Sequence, residues 1–325
     1  MEIKFLFETD DEKWNVFVDQ SKQGSLFCKT WFLKSLGLSY KILIVVENNE
    51  IYGGIILSKW HGLWTFGPMQ KYNGILFSSF NGSKYNVVTL QRSVTRLIIE
   101  KLIHLKSFDY YFHPEYSDWL LFYQSGFKEI TYYTYRLDLE NFDDEKLIEN
   151  CSPKLRPIIR KAVKDDSIEI LHENDPEFFY NLNNKTFKKQ GGNIPISMNR
   201  FLSIYSALKE KNCIKLYSCK NKNGNKTAVL GSVYDNRSAY LMFSGFDPES
   251  KENGHNELLI YTAILEAKKS VNMFDFEGSM LTGVESFYRK FGGIMTPYFR
   301  IYKPGSINTL KHHSIKYYKK FTYGK

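Results

Sequence analysis

The stretch Phe274-Asp-Phe-Glu-Gly-Ser279, followed by Gly283-Val-Glu-Ser-Phe-Tyr-Arg-Lys-Phe-Gly-Gly293, decides the fold of this 325-residue chain. Aromatic and acidic residues that alternate before a glycine predict a buried strand ending in a turn. The second segment combines aromatic and basic residues between glycines and predicts a helix or turn. Together, the two segments place polar side chains at one edge of an apolar scaffold.

Composition and charge set the limits for this reading. Hydrophobic residues make up 43% and charged residues 24% of the chain, which is typical of a folded protein. The length fits two domains of roughly 150 residues each. The net charge of +9 suits phosphate-bearing ligands such as coenzyme A, nucleotide sugars, tRNA or an anionic membrane face. A lysine-rich surface that serves only solubility is an equal alternative.

Membrane and metal signals are missing from the sequence. No segment holds the roughly 18 uninterrupted apolar residues of a membrane span, and the first residues are partly acidic, so we expect a cytoplasmic protein. The cysteines are dispersed, without a C-x-x-C pair, and therefore predict reduced structural thiols and no metal site. They are Cys28, Cys151, Cys213 and Cys219.

Periodicity and turn residues predict two α/β halves, residues 1–142 and 143–325, each with a mixed, mostly antiparallel sheet flanked by helices. In the first half we expect helices at 10–20, 30–36 and 87–105, and strands at 41–46, 51–57, 108–112 and 132–139. In the second half we expect helices at 144–164 (interrupted at Pro153 and Pro157), 176–189, 197–210 and 257–269, and strands at 214–219, 228–234, 239–244, 273–276 and 298–302.

Five short blocks carry a family resemblance through their order along the chain. They are Ser25-Leu-Phe-Cys-Lys-Thr-Trp31, Gly126-Phe127, Ser152-Pro-Lys-Leu-Arg156 with Arg160 and Lys161, Phe187-Lys-Lys-Gln-Gly191 with Pro195, and Asp275-Phe-Glu-Gly278 followed by Phe287. Their order resembles that of the Fem-type and related GNAT-like acyltransferases. The resemblance implies two tandem GNAT-like domains around a central cleft, where an acyl or aminoacyl group passes to an amine.

The donor site is expected where Gly254-His-Asn-Glu257 opens a helix after the strand at 239–244. Free backbone N–H groups and the helix dipole at such a start suit a pyrophosphate. In GNAT enzymes this is the coenzyme A site, so we assign Phe246, Gly254, His255 and Asn256 to the donor. The alternative is a solvated loop with Asn253 and Gly254 as turn residues. We expect no tightly bound cofactor, and acyl-coenzyme A or aminoacyl-tRNA as co-substrate.

Transfer to an amine needs a group that accepts the amine proton. Glu277 at the strand end is the main candidate, and His255 is the alternative because its unperturbed pKa suits a base. Phe287 and Tyr288 fall on the Phe-Lys pair of the family, so Tyr288 replaces a lysine that acts at the reacting centre. Lys290 is the nearby basic substitute. In the structural alternative Asp275 only caps or braces a turn.

The acceptor is assigned to Trp31, Lys34, Gln70 and Tyr72 of the first half and to Lys154 and Arg156 of the second. Aromatic faces bind sugar rings and cations hold phosphates. Trp31 is equally well explained as a core residue. Lys154, Arg156, Arg160 and Lys161 form a basic face that meets tRNA or a nucleotide sugar, or is solvated. The basic tail at 311–320 either touches an anionic inner membrane face or is a frayed terminus.

The leading interpretation is an enzyme that moves an acyl group from acyl-coenzyme A to an amine of an amino sugar or peptide in bacterial surface-polymer biosynthesis. The first alternative is an aminoacyl-tRNA-dependent Fem-type transferase. Tyr288 disfavours it, as does Ile194, which stands where some Fem enzymes have an arginine. The second alternative is a catalytically inactive GNAT-like binding protein. The sequence leaves the oligomeric state and the small-molecule partners' identities open.

Overall fold

The computed structural model describes residues 1–6, 10–140, 142–189, 191–250, 254–278 and 280–305. Internal contacts divide the chain into two compact units: unit 1 comprises residues 1–132 and those from 297 on, and unit 2 comprises residues 133–296. The sequence placed a single boundary at 142/143. The difference arises because a strand, not a linker, carries the chain from one unit to the next, and because the last strand ends in unit 1.

Unit 1 contains an antiparallel sheet in the order β1-β2-β3-β4, with β5 also paired to β3. The strands are β1 (Glu2–Leu6), β2 (Ser39–Glu47), β3 (Glu50–Trp60), β4 (Leu63–Trp64) and β5 (Leu76–Phe77). Asn48 and Asn49 both have positive φ, 50° and 66°, between β2 and β3. Two left-handed residues match the right-handed twist of paired strands, which explains the predicted hairpin.

Four α-helices accompany this sheet in the described part of unit 1: α1 (Asp11–Gln20), α2 (Thr30–Ser35), α3 (Lys84–Leu102) and α4 (Leu120–Gln124). The apolar face of α3, with Val94 and Ile98, packs with Leu43 and Ile55 of the sheet in one buried cluster. A further strand, β6 (Asp109–Tyr111), pairs antiparallel with residues 300–302, which end the last strand of the described residues.

Unit 2 is built on strands in the order β7-β12-β11-β10-β9-β8. They are β7 (Lys128–Asp138, in unit 2 from residue 133), β8 (Glu169–His172), β9 (Ile214–Lys220), β10 (Lys226–Tyr234), β11 (Ser238–Phe246) and β12 (Met273–Asp275); β13 (Ile294–Tyr302) ends in unit 1. Neighbouring strands of unit 2 pair antiparallel, except β11 with β12, which is parallel.

The helices of unit 2 are α5 (Asp144–Asn150), α6 (Arg156–Val163), α7 (Pro176–Lys189), α8 (Met198–Glu210), α9 (His255–Lys268) and α10 (Thr282–Arg289). Pro153 lies between α5 and α6, and Pro157 lies in the first turn of α6, where its missing N–H costs nothing. The apolar side of α9, including Leu259 and Ala263, packs into the main core cluster of unit 2.

The predicted α/β class, with mixed and mostly antiparallel sheets flanked by helices, is therefore confirmed. Within the described residues, no helix is long and apolar enough to cross a lipid bilayer.

Candidate functional site

The parallel pair β11–β12 opens part of the way along its length. Its register joins Ser238 to Met273 and ends with Tyr240 opposite Asp275, whereas β11 continues for six more residues to Phe246. After Asp275 the backbone continues to hydrogen-bond to β7: the N–H of Phe276 donates to the carbonyl of Tyr135 at 3.0 Å. A wedge-shaped opening therefore separates residues 241–246 of β11 from the chain after β12.

The start of α9 lies at the far end of β11. Gly254 precedes the helix with a φ of +89°, a left-handed conformation that favours glycine. A Cβ atom at Gly254 would lie 3.2 Å from Cγ2 of Ile158, so α6 packs closely here. The hydroxyl of Ser244 on β11 donates to Oδ1 of Asn256 at 3.0 Å. Three of the predicted donor residues thus stand together at one helix start: Gly254, His255 and Asn256.

His255 is tied into the interior of unit 2. Its side chain is buried, and its Nδ1 lies 2.6 Å from the hydroxyl of Thr227, which also donates to the carbonyl of Cys219 at 3.2 Å. The partner of His255, Thr227, is next to Ala228, which pairs with Phe246 on β11. Asp275 pairs with Tyr240 on the same strand. Phe246 and Tyr240 are six strand residues apart, which is roughly 20 Å along β11. This anchoring favours a structural role for His255.

A turn with left-handed backbone follows β12. The Asp275 carboxylate is buried, and its Oδ1 accepts from the hydroxyl of Thr134 at 2.5 Å and from the backbone N–H of Glu277 at 2.7 Å. Arg136 places Nε 3.9 Å from Oδ2 of the same carboxylate. Glu277 and Gly278 have φ values of +56° and +59°. Asp275 thus braces the unusual backbone that holds Glu277 in place, as the structural alternative for this residue expected.

Helix α10 packs its aromatic residues beside this turn. The Tyr288 ring lies 5.4 Å from the ring of Phe276, and Phe287 also contacts the core of unit 2. Lys290 is exposed at the end of the helix, with its ammonium 5.8 Å from the Phe287 ring centroid. Of the predicted catalytic set, the structure packs Tyr288 against Phe276, the residue before Glu277.

Sequence analysis did not identify Tyr135, which contacts helix α10. The phenol of Tyr135 on β7 donates to Oε1 of Glu285 on α10 at 2.5 Å, and Arg289 Nε lies 3.3 Å from the same oxygen. Burial, together with the hydrogen bond to Glu285, raises the pKa of Tyr135 above its usual value. The two partners are 150 positions apart in the chain, so no local sequence signal links them.

The unit 1 candidates occupy different environments. Tyr72 is fully buried, in edge-on contact with the Phe27 ring, and Gln70 is 3% exposed, with Oε1 accepting from Ser58 Oγ at 2.8 Å. Lys34 is exposed and lies 2.7 Å from the Asp11 carboxylate. Trp31 is half-buried. Because Tyr72 and Gln70 are enclosed by their own unit, their surroundings favour packing and loop-bracing roles; their assignment to the acceptor stays a prediction.

The basic residues of α6 border a shallow open cavity of about 490 Å³. Its lining consists of Pro153, Arg156, Pro157, Arg160, Lys161 and Lys164. Arg156 Nε donates to the carbonyl of Cys151 at 2.8 Å, and Arg160 lies 2.5 Å from Glu145. Lys154 is exposed just before the helix. Three residues of the predicted basic face, Arg156, Arg160 and Lys161, therefore line one open surface groove, whereas Lys154 is not part of its lining.

Some candidates lie outside the described residues: Lys251 to Asn253 before α9, Ser279, and the basic tail at 311–320. Within the described part of the chain, no group of three or more His, Cys, Asp or Glu side chains has the arrangement of a metal site.

Comparison with known proteins gives matches in structure alone. No family model and no curated protein matches the sequence. The crystal structure of FemX superposes with a TM-score of 0.68 at 15% identity, covering 92% of this chain and 97% of FemX. L-PGS from Bacillus licheniformis gives 0.55 at 12% identity, covering 93% of this chain and 94% of that one.

A tandem GNAT protein from the clavulanic acid biosynthesis pathway gives a TM-score of 0.54 at 11% identity, covering 93% of this chain and 98% of that chain. The similarity extends over nearly the full length of all three structures. This chain therefore has the fold of FemX and of the tandem GNAT protein, which confirms the fold that the resemblance in the sequence implied.

Proposed function

We propose that this chain is a transferase that moves an acyl group from acyl-coenzyme A to an amine of an amino sugar or peptide used in bacterial surface-polymer biosynthesis. The observation that carries the proposal is the opening between β11 and β12, which ends at the glycine start of α9. The acyl-transfer class is supported by the fold shared with FemX and the tandem GNAT protein. The acceptor class rests on the family resemblance, and we place the enzyme in the cytoplasm, where both donor types are made.

The opening suits an extended thioester donor. Within the described residues, β12 pairs with only the first three positions of β11, so residues 241–245 present one backbone edge to the opening, whereas the N–H and the carbonyl of Phe246 are hydrogen-bonded to the Thr186 hydroxyl. The amide groups of a pantetheine arm can hydrogen-bond to such an edge as an added strand does. At its far end, the N–H groups of the first turn of α9 suit the donor's pyrophosphate.

The proposed reaction forms one bond and breaks one. The amine nitrogen attacks the thioester carbonyl, the C–N bond forms, and the C–S bond breaks with release of the coenzyme A thiolate. The amine loses a proton to a base, and the thiolate gains one. Donors positioned at the developing oxyanion lower the barrier. No other co-reactant is required.

Glu277 is the proposed base and Tyr288 the proposed hydrogen-bond donor to the oxyanion or the leaving thiolate. The turn after β12 fixes the backbone of Glu277, since Asp275 accepts from its N–H, and the Glu277 side chain is buried. The Tyr288 phenol is carried by a ring that packs on Phe276, the residue before Glu277. Acyl transfer requires reacting groups in a fixed geometry, and the packed neighbours of Glu277 and Tyr288 favour such a geometry.

The test is acyl transfer from acetyl-coenzyme A to a panel of amino sugars and short peptides, with thiol release and product mass measured together. We expect turnover by the natural chain and a loss of at least about 100-fold in kcat for Glu277→Gln, the usual range for removal of a general base. Glu210→Gln, at an exposed helix end, is the matched control and should retain full activity. Full activity of Glu277→Gln would remove the proposed base, and no turnover with any acceptor would count against the function.

An aminoacyl-tRNA donor is the second candidate, favoured by the row of cations on α6 and by the likeness to FemX. Binding of a polyanion releases counterions and weakens steeply with salt, whereas thioester use does not. Transfer from aminoacyl-tRNA that falls sharply between 50 and 200 mM salt, roughly the range over which such binding weakens, would favour this candidate. Transfer from acetyl-coenzyme A alone would reject it.

A further inference from the structure

The hairpin between β3 and β4 in unit 1 ends in an open two-residue turn. Trp60 pairs with Leu63 across the turn, and the residues between them, His61 and Gly62, have φ values of +48° and +79°. Two consecutive left-handed residues fit the twist of a tight hairpin. A Cβ atom added at Gly62 would meet no atom within 4 Å, so the tip of the hairpin is a convex surface that neighbouring residues do not cover.

Two lysines lie against one tryptophan beside this turn. Trp64 pairs with Lys59, Lys59 pairs with Ser39, and Lys41 is two residues further along β2. Paired residues and residues two apart in a strand share a sheet face, so both lysines lie on the face of Trp64. The ammonium groups of Lys41 and Lys59 are each 5.6 Å from the centroid of the Trp64 ring. One ring therefore holds two like charges close together.

The charges of these two lysines are not neutralised within the described part of the chain. Both side chains are exposed, and the described residues give neither ammonium a carboxylate partner. Lys34 and Lys215 also lie over aromatic rings, but each forms an ion pair with a carboxylate, at 2.7 Å and 3.6 Å. Lys41 and Lys59 therefore favour an anionic partner from outside the described chain.

The neighbouring loop adds positive charge. The backbone N–H of Trp64 donates to the hydroxyl of Ser107 at 2.8 Å, which places the segment after α3 beside the hairpin. From residue 100 to residue 108 the charged or titratable side chains are Glu100, Lys101, His104 and Lys106, all exposed. The next acid, Asp109, is buried in its ion pair with Arg300. Glu100 thus offsets at most one of the lysines around the hairpin.

The aromatic side chains of the hairpin suit a lipid surface better than a nucleic acid. Trp60 and Trp64 are half-buried, and indole rings are enriched at membrane–water interfaces because they combine an apolar body with a polar N–H group. Single-stranded nucleic acids instead need open ring faces on which bases stack. The His61 ring lies 4.4 Å from the Trp60 ring, and the two lysines occupy the surroundings of Trp64. Small ligands prefer concave sites, which a convex tip does not offer.

We propose that the β3–β4 hairpin, together with Lys41 and Lys59, docks this chain on the surface of an anionic lipid bilayer. The lysines contact the phosphates of acidic phospholipids, and Trp60 and Trp64 lie at the level of the headgroups. The inference goes beyond the proposed function, because it holds whichever group the chain transfers. Attraction between exposed lysines and an anionic bilayer is screened by salt, so the docking is reversible and salt-sensitive.

The first test measures cosedimentation of the full chain with vesicles of phosphatidylcholine, with and without phosphatidylglycerol. The natural chain should bind only the anionic vesicles. Lys41→Glu with Lys59→Glu should weaken this binding at least about tenfold, because two attractions become repulsions. Lys209→Glu with Lys222→Glu makes the same change in net charge at exposed positions of unit 2, and should leave binding within about threefold. An equal loss in both double variants, or no binding by the natural chain, would overturn the proposal.

The second test detects the contact itself. Bromine-labelled acyl chains quench the fluorescence of tryptophans that lie at the bilayer surface, so the natural chain should be quenched on anionic vesicles that contain them. Trp60→Phe with Trp64→Phe should abolish most of this quenching, whereas Trp119→Phe, next to α4 in the same unit, should retain it. Unchanged quenching in the first variant would place the contact elsewhere and overturn the proposal. The lysine variants change exposed side chains only, so they test the same surface even if the tryptophan variant fails to fold.

An RNA partner is a distinct outcome of the same variants. Deacylated tRNA whose affinity falls in the Lys41→Glu, Lys59→Glu variant, while vesicle binding is unchanged, would assign the two lysines to RNA and overturn the lipid proposal. A loss of vesicle binding in that variant, with tRNA affinity within about threefold of the natural chain, would support it, since a general weakening of polyanion binding would lower both.

Discussion

The hydroxyl of Thr134 donates a 2.5 Å hydrogen bond to the carboxylate of Asp275, across 141 positions of sequence. Both groups are buried, and the same carboxylate oxygen accepts from the N–H of Glu277. One contact therefore joins β7, the end of β12 and the left-handed turn that carries the proposed base.

Removal of this hydroxyl should destabilise the chain. Thr134→Val keeps the side-chain shape but leaves a buried carboxylate with one partner fewer, so we expect a loss of about 1 to 3 kcal/mol in urea unfolding. Thr296→Val removes a hydroxyl that only reaches the carbonyl of Ile294 at an exposed position, and should change stability by less than about 0.5 kcal/mol. Equal effects of the two substitutions would show that the Asp275 contact has no special weight.

Glycine is required at position 278. Its φ is +59°, and a Cβ atom would lie 2.1 Å from the carbonyl oxygen of Tyr133 and 2.6 Å from Cα of Thr134. We expect Gly278→Ala to cost about 3 kcal/mol or more, since both partners are strand backbone. Gly283→Ala is the control, because it lies in α10 with no atom within 4 Å of the added carbon. It should stabilise the chain by about 0.5 to 1 kcal/mol, and a reversed order of the two would contradict this turn geometry.

The buried Arg300–Asp109 ion pair should contribute strongly to the stability of unit 1. Arg300 donates to both Asp109 oxygens at 2.8 Å and 2.7 Å, and both side chains are almost fully buried. Asp109→Asn should cost about 3 to 5 kcal/mol because it leaves an uncompensated buried guanidinium. The double change Asp109→Leu with Arg300→Met should cost clearly less. Thermal unfolding of both variants checks this order, and a larger loss in the double variant would refute it.

Alkaline pH should destabilise the fold through a buried tyrosine. Burial raises the pKa of Tyr234 to about 12 from its usual value of 10.0. The folded state therefore keeps the phenolic proton while the unfolded chain loses it, so this stabilisation is complete below pH 10 and is lost as pH rises towards 12, at about 1.4 kcal/mol per pH unit.

Tyr234→Phe should remove this contribution to the slope between about pH 10 and 12 and change little at pH 8. Denaturant unfolding of both proteins at several pH values measures the difference. Parallel stability curves for the two proteins across this pH range would contradict the assignment.

Local patterns predicted most elements of the fold because their causes are local. Periodic apolar residues gave α1, α3, α8 and α9 within about three residues at each end, and Pro153 marked the break between α5 and α6. The interruption expected at Pro157 was wrong, because this proline lies in the first turn of α6. Strand β1 was not predicted, because it is only five residues long and its pairing partner β2 lies over 30 residues away in the sequence. The unit boundary inside β7 was not predicted either. An uninterrupted strand has none of the residues that mark a linker in a sequence.

The candidate site was predictable only in part. The turn after β12 was found because its acidic residues and glycine are adjacent in sequence, and the helix start at Gly254 because glycine marks such positions. The brace by Thr134, the Tyr135–Glu285 contact and the burial of Gln70 depend on long-range packing. A sequence pattern does not show which residues, far apart in the chain, come into contact in the fold.

Hydrogen–deuterium exchange with and without saturating coenzyme A tests the donor site most directly. If the donor lies along the β11–β12 opening, exchange should slow at residues 241–246 and in the first turn of α9, from His255 to about Leu258. Other helix starts, such as that of α8, should be unchanged. Slowing confined to unit 1, or no change at residues 241–246 at saturation, would contradict the proposed donor site.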